Sequence, residues 1–304
     1  MNDLITDVKN LELETLKNLR SSKASNTLRA YRSDYKDFAG FCFKNGFKPM
    51  PSEPKVLSLY LTYLSKSSKF STLKRRLASI SVIHRISGHY IDVKHPIITE
   101  NLMGIKRAKG SYQKSKKPIL INELKSIIDV IDQDKNEKNK LRNKALILVG
   151  FAGGFRRSEL VAIEFEDVEF VSEGIKIFVK RSKTDQSGEG MMKGLPYFPT
   201  QNYCPVVSLK NWFEKSEIKS GKIFDISDKS VALTVKKYTA LAGLDSNKYS
   251  GHSLRSGFAT SAAEAGAEER RIMATTGHKT TQMVRRYIQE ANLFKNYALN
   301  KIKI

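Results

Sequence analysis

The sequence has few of the features that mark a secreted or membrane-bound protein. Its only cysteines are Cys42 and Cys204, too few for a disulfide framework, which favours a reducing cytoplasmic compartment. No apolar run approaches the roughly 20 residues that a membrane-spanning helix needs. The first residues mix acidic and apolar side chains, unlike a signal peptide. We therefore expect a cytoplasmic protein without a membrane partner.

Several motifs of metal and nucleotide chemistry are also missing. The sequence contains no Cys-x-x-Cys or His-Glu-x-x-His pattern of a zinc site. Its carboxylates are scattered among basic residues and do not form the clusters that hold hard cations. Gly153-Gly154 is not followed by the Gly-Lys-Ser/Thr of a phosphate-binding loop. We expect neither a metal site nor a cofactor.

Acidic residues are scarce compared with basic ones. The 304 residues include 53 Lys+Arg and 31 Asp+Glu, for a formal net charge of +22. Residues 1–117 hold 23 of the basic and 9 of the acidic side chains, so most of the excess lies in little more than a third of the chain. This excess either serves solubility or attracts a polyanion, and we favour nucleic acid over an anionic membrane surface.

The spacing of apolar residues predicts a helical domain over residues 1–108. A basic linker follows at 109–117, and a larger mixed domain occupies 118–304. Alternation around the turn at 172–174 predicts a β-hairpin over 168–180. The fold class expected is mainly α with a small β-hairpin or sheet.

Candidate contacts to a nucleic-acid backbone come from two basic groups. One lies on a helix predicted over residues 71–87, and the other in the segment 106–117, which contains no acidic residue. That segment is either a solvated loop or a basic segment that contacts the phosphate backbone. The candidates are Lys74, Arg75, Arg76, Lys106, Arg107, Lys109, Lys114, Lys116 and Lys117.

The larger domain offers side chains for metal-free chemistry on a phosphodiester. Such a reaction needs a nucleophile, cations that neutralise the phosphate oxygens, and an acid that protonates the leaving oxygen. Five short motifs supply them, and each is weak alone. In order they are Gly154-Phe155-Arg156-Arg157-Ser158-Glu159-Leu160, Arg181-Ser182-Lys183-Thr184, His252-Ser253-Leu254-Arg255, Gly277-His278, and Tyr287 nine residues later.

In this order and spacing, the motifs resemble the tyrosine recombinase (phage integrase) family from residue 118 to the C-terminus. The resemblance implies a two-domain clamp, made of a helical core-binding domain and a mixed α+β catalytic domain with a C-terminal helix. Only a short segment precedes the first predicted helix. In this respect the chain resembles the simple Cre-like or Xer-like members, which lack an arm-binding domain.

The resemblance also implies roles for individual cations. Arg156 and Arg255 match the arginine pair that binds the scissile phosphate, with Arg157 as an alternative to Arg156. Lys183 matches the hairpin lysine that protonates the 5′-oxygen. Lys180 and Lys193 are the alternatives to it.

The remaining matches complete the expected site. His252 resembles the histidine that bonds the phosphate and assists proton transfer, and His278 the second histidine, a donor to a phosphate oxygen. Tyr287 resembles the nucleophile. Glu159 matches an acidic position that orients a catalytic side chain.

The function implied is that of a site-specific DNA recombinase. It would cleave and rejoin double-stranded DNA through a 3′-phosphotyrosine, without metal or ATP, as a dimer on one site and a tetramer in synapsis. The expected location is the cytoplasm, in association with the nucleoid. A non-catalytic DNA-binding regulator, a type IB topoisomerase-like relaxing enzyme and a metal-dependent nuclease are the alternatives.

An apolar stripe near the C-terminus, at Leu293, Phe294, Tyr297 and Ala298, has two interpretations. It packs on its own domain, or it docks on a neighbouring protomer, as the terminal segment does in the relatives. We favour the neighbouring protomer.

Overall fold

The computed structural model describes residues 10–11, 14–15, 17–18, 25–110, 115–182 and 188–291. The chain divides into two compact units, Met1–Lys114 and Ser115–Ile304. Helices dominate both units, and one small antiparallel sheet lies in the second, which confirms the fold class. None of the helices in the described ranges is long and apolar enough to cross a bilayer.

The first unit is helical, as its apolar spacing predicts. Prolines at the first helical position open two of its helices, where the missing N–H costs nothing. Phe38, Tyr60, Leu61 and Ile80 are fully buried in the core that the helices share. The helices are α1 (Ser25–Lys44), α2 (Pro54–Ser65), α3 (Phe70–Ile86) and α4 (Pro96–Lys109).

A buried carboxylate joins α1 to α3. Asp34 is 4% exposed, and its carboxylate accepts hydrogen bonds from the Arg75 guanidinium and, at 2.7 Å, from the Ser79 hydroxyl. Arg76 pairs with Asp37 and donates to the Tyr60 hydroxyl at 2.6 Å. Two of the three candidate DNA-binding side chains of α3 are therefore engaged within the unit.

The structure describes the two ends of the basic segment 106–117, on either side of residues 111–114. Helix α4 extends through Lys106, Arg107 and Lys109, beyond the residues 99–105 that sequence spacing predicts, and it ends at Gly110. Basic side chains in a last turn are favourable because they oppose the partial negative charge of the helix C-terminus. After residues 111–114, Lys117 already belongs to the second unit, where its N–H donates to the Lys248 carbonyl at 2.7 Å.

The second unit is built around α6 (Glu137–Ala152), whose residues 145–152 are buried. Its two sides face two hydrophobic clusters, one with the sheet and one with the helices that precede and follow. The other elements are α5 (Ile121–Asp132), α7 (Arg157–Leu160), β1 (Val168–Val171), β2 (Gly174–Val179), β3 (Met191–Pro196), α8 (Pro205–Ser216), α9 (Asp228–Leu241), α10 (His252–Glu264), α11 (Glu269–Thr276) and α12 (Thr281–Ala291).

The sheet contains the predicted hairpin and one further strand. Strands β1, β2 and β3 pair antiparallel in that order. Sequence patterning does not predict β3, because a lysine occupies its buried face. Lys193 and Leu195 point inward, while Met192 and Gly194 are exposed.

Helix α10 lies unusually close to the chain that enters the second unit. The Ile119 N–H donates to the Ser253 carbonyl at 3.0 Å. A Cβ added at Gly257, one turn further on, would lie 2.0 Å from the Ile119 carbonyl oxygen. Only glycine fits there without a shift of the backbone.

Gly257→Ala should therefore lower the free energy of unfolding of the second unit by about 1–3 kcal/mol. Urea denaturation followed by the fluorescence of Trp212, which is buried in this unit, measures the change. Gly194→Ala is the matched control, because an added Cβ meets nothing within 4 Å. Equal stability of the two variants would contradict the close approach.

Candidate active site

Arg255 is the innermost charged residue of the site. It lies on the first turn of α10, is 1% exposed, and donates from Nη1 to the carbonyls of Gly154, at 2.8 Å, and Thr276. Its Nη2 is buried and has no hydrogen-bond partner within the described ranges. Burial lowers the pKa of Arg255 to about 10, and the positive charge of Arg156 adds to this. The side chain stays charged at neutral pH and has a donor available for an anion.

Arg156 immediately precedes the short helix α7. Its guanidinium bonds the buried carboxylate of Glu159 at 2.5 Å, and its backbone N–H donates to the same carboxylate at 2.9 Å. Glu159 thus fixes both the backbone and the side chain of Arg156. The orienting role of Glu159 in the reaction stays a prediction.

His252 and Tyr287 meet at the edge of the site. His252 begins α10, and Tyr287 lies on α12, where its ring packs against a small apolar cluster. The Tyr287 hydroxyl is 3.4 Å from His252 Nε2. Burial of the ring lowers the pKa of His252, although part of the residue remains exposed, and the charges of Arg255 and Arg156 lower it further. A neutral His252 can accept the hydroxyl proton.

His278 follows the C-terminus of α11 and is 6% exposed. Its Nδ1 lies 2.7 Å from the Thr276 hydroxyl, which in turn lies 2.6 Å from the Ile272 carbonyl oxygen. A carbonyl only accepts, so the hydroxyl proton points to Ile272 and Nδ1 must donate to the hydroxyl oxygen. These distances assign the Nδ1–H tautomer to His278, with Nε2 as an acceptor.

This tautomer bears on the role expected for His278. A neutral ring of this form cannot donate from Nε2 to a phosphate oxygen. Burial lowers the pKa of His278 to about 3, and the charges of Arg255 and Arg156 contribute. Donation to a phosphate therefore requires that the ring take up a proton from the solvent when the anion binds, and the negative charge of the anion favours that uptake.

A further cation, Lys193, lies beside these groups. Its ammonium donates to the carbonyls of Gly153, at 2.6 Å, and Thr275, at 2.5 Å. It also lies 4.5 Å from the centre of the Phe155 ring. Desolvation lowers the pKa of Lys193 to about 7; the charge of Glu159 opposes this shift and that of Arg255 adds to it.

The structure brings together five of the six predicted catalytic residues, namely Arg156, His252, Arg255, His278 and Tyr287. The charge of Arg156 lowers the pKa of His252, Arg255 and His278, so these residues lie near it. Tyr287 joins them through its contact with His252. The sixth, Lys183, lies outside the described residues. Its alternative Lys180 is paired with Glu164 and Asp167.

The predicted DNA-binding residues differ in how exposed their side chains are. Lys74, Lys106, Arg107, Lys109 and Lys117 are exposed. The Lys116 ammonium is exposed too, but it donates to the Asn247 carbonyl. Lys114 lies outside the described residues. Among the described candidates, Arg76 is the most enclosed, with 19% of its side chain exposed.

The sequence motifs do not single out two residues of the site, Lys193 and Thr276. Lys193 appears in the sequence analysis only as an alternative to Lys183. The burial of Lys193 on β3 would have been the signal, but a lysine between Met192 and Gly194 gives no apolar alternation. Thr276 carries no motif of its own.

Comparison with known proteins identifies the family. The phage integrase family matches residues 119–293. An integrase/recombinase xerD homolog of Selenomonas ruminantium is 42% identical, over 99% of this chain and 92% of that protein. A tyrosine recombinase of Agathobacter rectalis is 26% identical, over 90% of each. The chain belongs to the phage integrase family, and the enzyme class predicted from the five motifs, a tyrosine site-specific recombinase, is confirmed.

Solved structures share the fold at low sequence identity. The XerH site-specific recombinase bound to palindromic difH substrate in a post-cleavage complex superposes with a TM-score of 0.62, at 19% identity, over 81% of this chain and 73% of that one. A lambda integrase tetramer bound to a Holliday junction gives a TM-score of 0.58, at 16% identity, over 96% and 79%.

The tautomer of His278 is open to direct measurement. Thr276→Val removes the hydroxyl at nearly constant volume, and we expect the Nδ1–H form to lose its advantage so that Nε2–H becomes populated. Thr276→Ser keeps the hydroxyl and should retain Nδ1–H. Long-range ¹H–¹⁵N NMR of the histidine ring distinguishes the two forms. A wild-type protein with Nε2–H at neutral pH would refute the assignment.

Proposed function

We propose that the site described above cleaves and rejoins DNA, with Tyr287 as the nucleophile. The observation that carries the proposal is the buried, unpartnered Nη2 of Arg255, next to a tyrosine hydroxyl 3.4 Å from a histidine nitrogen. A buried donor without a partner is costly, and an anionic oxygen would satisfy it. A phosphodiester supplies both that oxygen and the electrophile.

In the first step, the Tyr287 oxygen attacks phosphorus and the bond to the 5′-oxygen breaks. The hydroxyl proton passes to His252 Nε2, which the lowered pKa of the ring keeps ready to accept it. The product is a 3′-phosphotyrosine. Because the covalent intermediate retains the energy of the broken bond, rejoining needs no nucleotide.

The cations stabilise the charge that develops on the phosphate. Arg255 offers Nη2, and Arg156, held by Glu159, offers the donors that Glu159 leaves. We assign Lys183 the protonation of the leaving 5′-oxygen. In support, both alternative lysines have other partners, since Lys180 pairs with carboxylates and Lys193 with carbonyls.

Rejoining requires the 5′-hydroxyl of a partner strand, and hence a second DNA site. We propose a dimer on one site and a tetramer in synapsis, supported by the tetrameric lambda integrase structure. We further propose that the helical unit is the core-binding domain and that the protein acts at the nucleoid. The stripe at 293–298, which we propose docks on a neighbouring protomer, lies outside the described residues.

The nucleophile can be tested with a pool of nicked duplexes that carry a randomised central site. Cleavage of such a suicide substrate releases a short strand and traps the enzyme on DNA. We expect the wild-type protein to form a covalent adduct in the presence of a chelator, and Tyr287→Phe to form none because it lacks the attacking oxygen.

The adduct is measured by its reduced mobility in a denaturing gel. Tyr238→Phe is the matched control, because Tyr238 is a buried tyrosine of the same unit that hydrogen-bonds Asn143 and Asp134 away from the site. An adduct that persists in Tyr287→Phe would reject the nucleophile. Relaxation of any supercoiled plasmid, with no preferred site recovered from the pool, would favour the topoisomerase alternative.

The exposed residues of α4 should contribute to DNA binding, and Arg76 should contribute to stability. Lys106→Ala/Arg107→Ala removes two charges that can displace counterions, so the slope of log affinity against log salt should fall in magnitude by about 2.

Arg76→Ala leaves its carboxylate partners uncompensated and should lower the free energy of unfolding by about 1–3 kcal/mol. Fluorescence anisotropy and urea denaturation measure the two effects.

The control for both variants is Lys44→Ala, an exposed lysine at the end of α1 outside the predicted set. We expect it to leave the salt slope and the stability close to those of the wild type. A salt slope unchanged in the α4 double variant would exclude these residues from the DNA interface.

A further inference from the structure

Lys193 is a buried lysine that the proposed reaction does not use. It is 3% exposed on β3, where its neighbour across the sheet is Ile177. Lysine is almost never fully buried unless its charge is paired. No carboxylate bonds this ammonium within the described ranges; its partners are the carbonyls of Gly153 and Thr275.

Both carbonyls belong to helix C-termini. Gly153 caps α6, and Thr275 lies in the last turn of α11. The last carbonyls of a helix lack intrahelical donors, and each helix end carries about half a negative charge. Two such ends offset part of the positive charge of the buried ammonium.

Arg255 makes the same pair of contacts one residue further along. It donates to Gly154 and Thr276, the residues that follow the two lysine-bonded carbonyls. The two cations therefore join the same two segments at consecutive positions. The first segment leads directly into Arg156, and the second into His278.

We infer that Lys193 is a positioning residue for strand cleavage, because its ammonium fixes the turn that carries Arg156 against the turn that carries His278. This inference rests on the proposed function. Lys193 does not act as the acid for the 5′-oxygen, since its ammonium is enclosed and committed to two carbonyls. It acts on the reaction through the geometry of its neighbours.

The charges around Lys193 fit this role. The groups that act on it are Glu159 from α7, Arg156 before that helix, and Arg255 from α10. Burial brings the pKa of Lys193 to about 7, so the ammonium is only partly protonated near neutral pH. A bound phosphate favours the charged form, which bonds the carbonyls more strongly.

The test compares Lys193→Met with Lys193→Arg in the full-length protein, on a nicked duplex recovered from the randomised pool. Lys193→Met should slow adduct formation at saturating DNA by about 10- to 100-fold, since small misplacements of catalytic groups have effects of this size. The DNA concentration at half-saturation should stay within about twofold of the wild type. Lys193→Arg should restore most of the rate.

The pH profile separates positioning from general stability. In the wild type, the cleavage rate should decline as pH rises and the ammonium of the DNA complex loses its proton. Arginine keeps its charge over the accessible range, so this decline should vanish in Lys193→Arg. Lys176→Met is the matched control, because Lys176 is exposed on the adjacent strand and pairs only with the exposed Glu169 in the described contacts.

The outcomes are distinct. If the wild type forms no adduct, the proposed function fails. If the wild type forms one and a folded Lys193→Met forms it at the same rate, or if Lys193→Met only weakens DNA binding, the positioning role alone is overturned. Should Lys193→Met not fold, as judged by Trp212 fluorescence, Lys193→Gln takes its place. Its amide donates to one carbonyl but carries no charge, and wild-type cleavage by it would equally overturn the inference.

Discussion

Two buried helix C-termini, each with a partial negative charge, are bonded by two cations, and the candidate active site lies around these contacts. Helices α6 and α11 both end in the interior, and among the described residues no backbone N–H bonds the carbonyls of Gly153, Gly154, Thr275 and Thr276. Arg255 satisfies one carbonyl of each, and Lys193 satisfies the neighbouring pair. The motifs that carry Arg156 and His278 begin where these helices end, so the same contacts hold the backbone that leads to Arg156 and His278.

The same arrangement prepares the site electrostatically before any DNA is bound. Its cations are held in a desolvated interior, where their effect on an anion is larger than in water. Both histidines have lowered pKa values and are therefore neutral at physiological pH, so they do not add to the repulsion among the cations. One carboxylate, Glu159, offsets part of the charge and orients Arg156.

The sequence predicts the residues of the site better than their contacts. His252 and Arg255 could be placed together because they lie three apart at a helix start, and the order of the five motifs supplies the other partners. The contacts of Lys193 could not be predicted, since its carbonyl partners are 40 and 82 residues away and carry no side-chain signal. The strand β3 is not predicted either, because a lysine on its buried face breaks the expected alternation. The helix α4 extended further than expected because basic residues stabilise a helix C-terminus.

The acidic partners on α1 reduce the number of cations in the first unit that remain available to a duplex. Asp34 and Asp37 hold Arg75 and Arg76 in ion pairs that form within the unit. A cation already neutralised in this way releases no counterion from a duplex, and so it adds nothing to the salt dependence of binding. The number of ions exchanged on association will therefore be smaller than a simple count of lysines and arginines implies, and the affinity will fall less steeply as the salt concentration rises.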